Sequence, residues 1–349
     1  MAQHLVTGGN GYVGSFLTRS LLARGEQVRV LDVHDAPERD PASSFVETSV
    51  LDRDGMARAM EGVDFVHHNA ALVPLRKAGT GFWDVNVEGT RIALETAKAA
   101  GVKHFCHMSS SAIFGSLSDA DCPVRDDSPL NSAEIYGRSK EAGDDLVRAE
   151  MARPDGLSCS TIRPRTIIGT ERLGIFQILF EWISEGRNVY VIGDGSNGFQ
   201  FVHIDDLINV SIESALQQAP GVFNVGTDRY GTLREALETL CAHAGTGSKV
   251  RGIPVWMAIS TLWTADKLRL SPLAPWHYLT YHKPFYFDVT TTKEKLGWKP
   301  QFSNDEMLAH SYDWFLANRQ GLREQGKDDY SAHKSRVKQG VIGVLKKFS

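Results

Sequence analysis

Cysteine is scarce in this 349-residue chain, and its four copies, Cys106, Cys122, Cys159 and Cys241, lie far apart. They form no Cys-x-x-Cys pair and have no nearby histidine placed for zinc, which excludes a zinc module or a disulfide framework and points to a reducing compartment. Long apolar runs are missing as well. No segment reaches the ~18 uninterrupted apolar residues that a bilayer crossing requires. The start, Met1-Ala-Gln-His-Leu-Val-Thr-Gly, lacks the basic stretch and apolar core of a secretory signal, so a cytoplasmic location is expected. Neither sign of charge dominates, with 38 Lys and Arg against 42 Asp and Glu and a net charge of -4. The totals therefore offer nucleic acid no basic footprint. Internal repeats and low-complexity tracts are absent too, and 42% hydrophobic with 23% charged residues is the composition of an ordinary globular protein.

What is present is an alternation. Short apolar runs at residues 4–7, 27–32, 65–69, 104–109 and 158–163 read as strands, and stretches of helical period at 12–24, 53–60, 85–100 and 136–151 lie between them. Glycines such as Gly25 and Gly101 close several of these helices. This is the pattern of βαβ units around a parallel sheet, so the expected fold is α/β, a Rossmann-type doubly wound parallel sheet with a smaller α/β substrate-binding domain. Residues 1–165 are assigned to the first domain, with segments near 199–230 returning to it, and 166–318 mainly to the second. Further strands are expected at 189–192, 199–203 and 221–225, whereas 250–284 is rich in Trp, Leu, Ile and Pro without a strand period. The tail, 319–349, is polar and then basic, and Val337, Val341, Ile342, Val344 and Leu345 share one helical side. It is expected to be an appended helix with, at most, a weak membrane-surface contact.

The first strand runs into Thr7-Gly8-Gly9-Asn10-Gly11-Tyr12-Val13-Gly14 as the first helix opens. Glycines at 8, 11 and 14 let the backbone turn tightly and approach a pyrophosphate, which free N–H groups and the positive helix end then hold. The second strand ends on Asp32, placed to accept hydrogen bonds from both adenosine ribose hydroxyls and to repel a 2′-phosphate. NAD is therefore the expected cofactor, ahead of NADP, although Arg29 and Arg39 lie near.

Tyr136 and Lys140 stand four apart at a helix start and so share a face. A phenol that titrates at its ordinary value of about 10 is a poor base at neutral pH, and an adjacent ammonium favours its anion. Hydride loss from a carbinol needs such a base. The fourth strand ends in Ser109-Ser110-Ser111, at the carboxyl edge where open α/β folds place their chemistry, and a hydroxyl there orients a substrate oxygen. No metal site is expected.

On these blocks, together with His68-Asn69-Ala70-Ala71, Asn86-Val-Glu-Gly-Thr90, Ile162-Arg163-Pro164, Phe201-Val-His-Ile-Asp-Asp206 and Leu296-Gly-Trp-Lys-Pro300, the chain resembles the extended short-chain dehydrogenase/reductase superfamily over roughly residues 3 to 317. This superfamily is also called the NAD-dependent epimerase/dehydratase family. The resemblance implies Tyr136 as acid/base, Lys140 also on the nicotinamide ribose, and Ala70, Ala71, Asn86 and Pro164 near the cofactor, beside Gly8, Asn10, Gly11, Tyr12, Val13 and Gly14. It selects Ser110 as the catalytic hydroxyl, five residues before Gly115, with Ser111 the alternative. Where the family commonly has an acidic residue beside the adenine, this chain reads Thr48-Ser49-Val50-Leu51-Asp52, leaving Ser49 or Val50 for that contact. A homodimer is the superfamily's common state.

For the substrate, nucleotide-sugar members commonly carry arginines before the Phe-Val-His-Ile-Asp-Asp and Leu-Gly-Trp blocks. Here those stretches read Asn197-Gly-Phe-Gln200 and Tyr281-His-Lys-Pro-Phe285. The segment from Ile253 to Trp263 instead resembles the apolar part of 3β-hydroxysteroid and sterol dehydrogenases. The expected reaction interconverts a secondary alcohol and ketone on an apolar steroid, sterol or lipid-like small molecule. A nucleotide-sugar epimerase or dehydratase is the competing reading, with Arg165, Arg172 or Lys283 left to bind phosphate, and a non-catalytic cofactor-binding subunit the third.

Overall fold

A computed structural model describes residues 1–73, 79, 81–171, 175–267 and 279–324. Its first half is β1 (Gln3–Thr7), α1 (Tyr12–Ala23), β2 (Gln27–Asp32), β3 (Ser44–Glu47), α2 (Arg53–Met60) and β4 (Phe65–His68). A short turn of helix, α3 (Gly81–Trp83), then continues through a π-turn (Asp84–Glu88) into α4 (Gly89–Ala99), followed by β5 (His104–Met108), α5 (Ile135–Met151) and β6 (Cys159–Pro164). Next come β7 (Thr166–Ile168), α6 (Ile175–Ser184), β8 (Val189–Ile192), β9 (Gly198–Phe199), β10 (Phe201–His203), α7 (Ile204–Leu216) and β11 (Gly221–Val225). The remainder is β12 (Gly231–Thr232), α8 (Leu233–Ala244), β13 (Val250–Ile253), α9 (Val255–Lys267), α10 (Thr290–Leu296) and α11 (Asn304–Glu324).

Seven strands form one sheet in the order β11-β6-β5-β4-β1-β2-β3, with every pairing parallel. The order reverses direction at β1, between β2 and β4, which opens a crevice at the carboxyl ends of those strands. Side-chain alternation feeds two cores. Leu5, Leu31, Val66 and Phe105 pack with Met56, Ala93 and Val147 of α2, α4 and α5, whereas Val6, Val28 and Val30 pack with Phe16, Leu17, Ile204 and Ile208 of α1 and α7. Burial on both faces explains why these strands read as continuous apolar runs.

Two readings of the sequence need correction. Residues 199–203 are not one strand. Gln200 is fully buried and its amide serves Thr227 O, Phe287 O and Phe287 N, so the chain breaks there, β9 pairing with β12 and β10 with β7. The helix expected to begin at 85 starts at Gly81 and passes through the π-turn. The edge strand β3 carried no expectation at all, since its residues are only partly buried and lack a clean period.

A separate core away from the sheet gathers Phe180 and Ile183 of α6, Val189 and Val191 of β8, Leu237 and Leu240 of α8, and Met307, Leu308 and Phe315 of α11. Asp206 clasps the two regions by accepting from Gln301 N at 2.9 Å and Phe302 N at 3.3 Å. Burial raises its carboxyl pKa to about 6 against those backbone donors. No described helix is long and apolar enough to cross a membrane. The basic tail lies outside the described residues.

The central strands carry an unusual set of buried histidines. His4 Nδ1 lies 3.1 Å from His67 Nε2, His68 bridges Thr7 and Thr90, and His104 bridges Ser158 and Ser160. Burial lowers the pKa to about 4 in His4 and His104 and to about 3 in His68, and holds His67 and His107 well below the ordinary value. A folded-state pKa below the unfolded value of about 6.5 means that the unfolded chain binds the proton first as pH falls. Stability is therefore full above pH 6.5 and lost progressively toward the folded values. The unfolding free energy from urea titration should drop steeply between pH 6.5 and 5, by roughly 2 kcal/mol at pH 5 for each of His4, His68 and His104. A flat profile would show that these histidines do not control acid stability.

Candidate active site

The turn after β1 is built by absent side chains. Gly8 has φ +64, and a Cβ there would lie 2.8 Å from Ala70 Cα. A Cβ on Gly14 would lie 2.6 Å from Gly9 Cα and run into the Gly8 carbonyl. Gly8 N donates to Leu31 O at 2.8 Å, and Gly11 N to Gly8 O at 3.0 Å, which folds the turn over the end of β2. Helix α1 is preceded by Gly11 as its N-cap, with no side-chain cap and no acidic residue in its first turn. Its N–H groups are thus left for an external anion.

Asp32 closes one side. Its carboxylate accepts from Asn10 N at 3.0 Å and Val33 N at 2.8 Å. Burial raises its pKa while those two N–H groups oppose the rise. Asn10 does not line the cleft. Its side chain donates to His34 O and its backbone orients Asp32. Tyr12 donates its hydroxyl to Thr170 O at 2.9 Å, tying α1 to the segment after β7.

A cleft of about 320 Å³ runs along the carboxyl edge and brings together Gly8, Gly11, Tyr12, Val13, Gly14, Asp32, Ser49, Val50, Ala70, Ala71, Tyr136, Lys140 and Pro164. Thr48, Asn69, Leu72, Met108, Ser109 and Ile167 also line it without having been singled out. Most of these follow or precede a motif by one or two residues, which is the signal that would have found them. The missing acidic residue near the adenine has a structural reason. Asp52 caps α2 by accepting from Gly55 N at 3.1 Å and Thr48 Oγ1 at 3.0 Å, so its charge is directed to the helix and not to the cleft.

Asn86 and Ser110 stand just behind the lining. Asn86 sits in the π-turn, where Oδ1 accepts from Leu72 N at 2.8 Å and Nδ2 donates to Leu72 O at 3.2 Å and Ser139 Oγ at 3.0 Å. It thereby holds the strand-to-helix segment against α5. Ser110 caps the short 3₁₀ turn Ser111–Phe114 by accepting from Ala112 N at 3.1 Å, and its hydroxyl proton stays available to donate. Ser111 is buried and accepts from Arg165 Nη1 at 3.2 Å. The two serines therefore differ: Ser111 is committed to the interior and Ser110 is partly exposed.

Tyr136 and Lys140 both face the cleft from the first turns of α5, and the Tyr136 ring meets Phe82 edge-on at 6.0 Å. Lys140 Nζ donates to Met108 O at 2.5 Å. Burial lowers its pKa to about 8, with Asp144 opposing. The helix is pinned from below by Asp144, wholly buried, whose carboxylate accepts both Arg163 Nε at 3.0 Å and Arg163 Nη2 at 2.8 Å. No metal-holding cluster occurs among the described residues.

A glycine cradle at a helix start, an acid at the end of β2, and a tyrosine–lysine pair beside strand-end serines define a dinucleotide-dependent oxidoreductase of the Rossmann type. The chain belongs to the NAD-dependent epimerase/dehydratase family, whose family profile matches residues 4–226. It is an enzyme of that family, and its cofactor is NAD. It is 40% identical to the protein y4nG of Sinorhizobium fredii over 98% of this chain and 85% of the relative. It is 27% identical to the 3 beta-hydroxysteroid dehydrogenase/Delta 5-->4-isomerase of Mycobacterium tuberculosis, over 95% of this chain and 94% of that one. Among solved structures it is similar to the UDP-glucose 4-epimerase of Thermotoga maritima, with a TM-score of 0.74, 25% identity, and coverage of 91% of this chain and 99% of that one.

Two substitutions test this geometry. Asp32→Asn should weaken NAD binding by roughly 10- to 100-fold, the worth of hydrogen bonds to a charged acceptor, while NADP binding holds or improves; calorimetric titration of both nucleotides reads this. Asp144→Asn should cost about 3–5 kcal/mol of unfolding free energy by leaving Arg163 buried without its counter-charge. A loss below about 1 kcal/mol in urea titration, the range of an exposed pair, would mean that the pair does not hold α5 in place.

Proposed function

We propose that this enzyme interconverts a secondary alcohol and its ketone on an apolar substrate of steroid, sterol or lipid type. The observation that carries this reading is a second cavity of about 390 Å³ between α6, β8, β13, α8 and α9. Its lining includes Phe176, Trp182, Val191, Leu237, Ile253 and Leu262 and, among the described residues, contains no charged side chain. A diphosphate bound there would lose its hydration without gaining a cation, whereas a fused-ring or acyl substrate gains ~25 cal/mol for each Å² of apolar surface removed from water. Phe199 and Gln200 stand where nucleotide-sugar members of the family commonly have arginine. The name of the mycobacterial relative points the same way.

In this reading residues 1–165 hold the cofactor, 166–318 supply most of the substrate wall, and the enzyme works as a cytoplasmic homodimer. The cradle of Gly8, Gly11 and Gly14 with Asp32 fits the dinucleotide, which when bound supplies the hydride acceptor or donor. Tyr136 removes the hydroxyl proton in oxidation and returns it in reduction, as acid/base. Lys140, poised by burial, favours the phenolate and leaves Met108 O for the ribose. Ser110 donates its proton to the substrate oxygen as charge develops there.

A nucleotide-sugar epimerase or dehydratase is the second reading, favoured by the likeness to the Thermotoga maritima enzyme, whose structure contains UDP-glucose. The two part on net turnover. With hydroxysteroids, sterols and long-chain secondary alcohols, the purified enzyme should form NADH measured at the nicotinamide absorbance, and Tyr136→Phe should lower the rate ~10²- to 10⁴-fold. Conversion of a UDP-, GDP- or dTDP-sugar with no net change in NADH would reject the alcohol reading and establish the second.

A further inference from the structure

Arg165 follows Pro164 at the end of β6, and its surroundings differ from those of Arg163 two residues earlier. Both arginines are buried, at 1% exposure for Arg163 and 2% for Arg165. Arg163 presents its Nε and Nη2 to the Asp144 carboxylate as a two-point fork. Arg165 has the same fork, with no carboxylate on it among the described residues. Nη1 donates to Ser111 Oγ at 3.2 Å, but Nε and Nη2 have no hydrogen-bond partner among the described residues. Its other neighbours are rings: the Phe285 centroid lies 3.7 Å from the guanidinium carbon, Phe199 5.1 Å and Phe287 5.8 Å. Aromatic faces attract the cation yet leave in-plane N–H groups unsatisfied, and a buried group in that condition calls for a partner. Burial also lowers the pKa of Arg165 to about 9, the direction of a charge without its counter-ion.

The position of this fork is equally informative. On one side Arg165 holds Ser111, next to Ser110, and adjoins Pro164 of the cofactor cleft. On the other, the Phe199 ring packs on Tyr281 at 5.3 Å and on Phe201 at 5.0 Å, and both of these line the apolar cavity. The order is cofactor cleft, serines, empty fork, aromatic wall, apolar cavity. We infer that the Nε–Nη2 edge of Arg165 is a binding site for an oxyanion, carboxylate or phosphate, carried by the substrate, which is thus an amphiphilic acid with an apolar body. The inference rests on the alcohol–ketone reading and narrows its substrate class. A carboxylate or phosphate matches the fork in plane with two charge-assisted hydrogen bonds. The fork is closed to solvent, so entry requires one of the rings packed against it to yield.

The test uses three probes with one apolar tail and different heads, namely hexanoate, hexyl phosphate and hexanol, titrated calorimetrically into the NAD-saturated protein. At least one acid should bind saturably and roughly tenfold or more tighter than hexanol, and its identity assigns the head group. Arg165→Met should remove that advantage, roughly 10- to 100-fold, leaving hexanol unchanged. Arg165→Lys, which keeps the charge without the fork, should retain only part of it and serves if the methionine variant does not fold. Equal binding of all three probes, no binding of either acid, or acid binding that survives both substitutions overturns the site. Turnover plays no part in the readout, so an enzyme that oxidises alcohols but ignores acids fails this inference alone. One that binds acids through Arg165 but forms no NADH fails the alcohol reading alone.

Discussion

The fork between Arg163 and Asp144 joins the strand that ends the main sheet's chemistry-bearing edge to the helix that carries Tyr136 and Lys140. Both partners are essentially free of solvent, so neither charge has water as an alternative. A buried pair of this kind adds little net stability over an apolar substitute, but separating it is costly. Its value lies in registry. Only one rotation and one height of α5 lets the carboxylate meet both nitrogens, and that setting turns Tyr136 and Lys140 to the cleft. Arg163 also donates to Asp126 O at 2.9 Å, which brings the loop before α5 under the same control. Gly143, on the same helix, allows close approach to Asn86 O, where a Cβ would lie at 2.7 Å. The π-turn, the catalytic helix and β6 are therefore positioned as one unit.

The opposite side of the crevice is set by exclusion of side chains, not by attraction. Gly8 and Gly14 permit contacts that any Cβ would block, and the polar groups so exposed are backbone N–H donors. The two halves of the site thus rest on different physics, one on buried charge and one on missing volume. This division makes the cofactor side tolerant of the sequence around it and the catalytic side dependent on residues far from the reacting atoms.

Legibility in the sequence follows the same division. The glycine turn, Asp32, Tyr136 and Lys140 are readable because each is a local pattern with a local reason. So are the central strands, whose burial on both faces leaves continuous apolar runs. The break at Gln200 is not readable, since a buried amide bonding to Thr227 and Phe287 is a tertiary fact with no period. Asp52 is visible as an acid, but only the structure shows it engaged in a helix cap. Asn86 is placed near the cofactor by resemblance, and the structure shows it working one layer back, on Leu72 and Ser139. The strands' histidines belong to this class too, since a histidine in an apolar run gives no sign of which hydroxyl it will meet.

Arg163 and Arg165 show why identity of residue type is a poor guide to role. Both are arginines on consecutive inward turns of the chain at the end of β6, both lie against aromatic rings, and both are sealed from solvent. One is neutralised by an aspartate within the chain and so acts on the fold. The other is surrounded by phenylalanine and faces the line from the cofactor cleft to the apolar cavity. A chain that needed only packing there would be more stable with an apolar side chain, because a buried charge without a counter-charge is costly. Retaining a cation at that point makes sense where a ligand brings the anion. The cost is then recovered on binding and contributes to selection against neutral analogues, in the way that a buried polar group left unpaired penalises the wrong ligand.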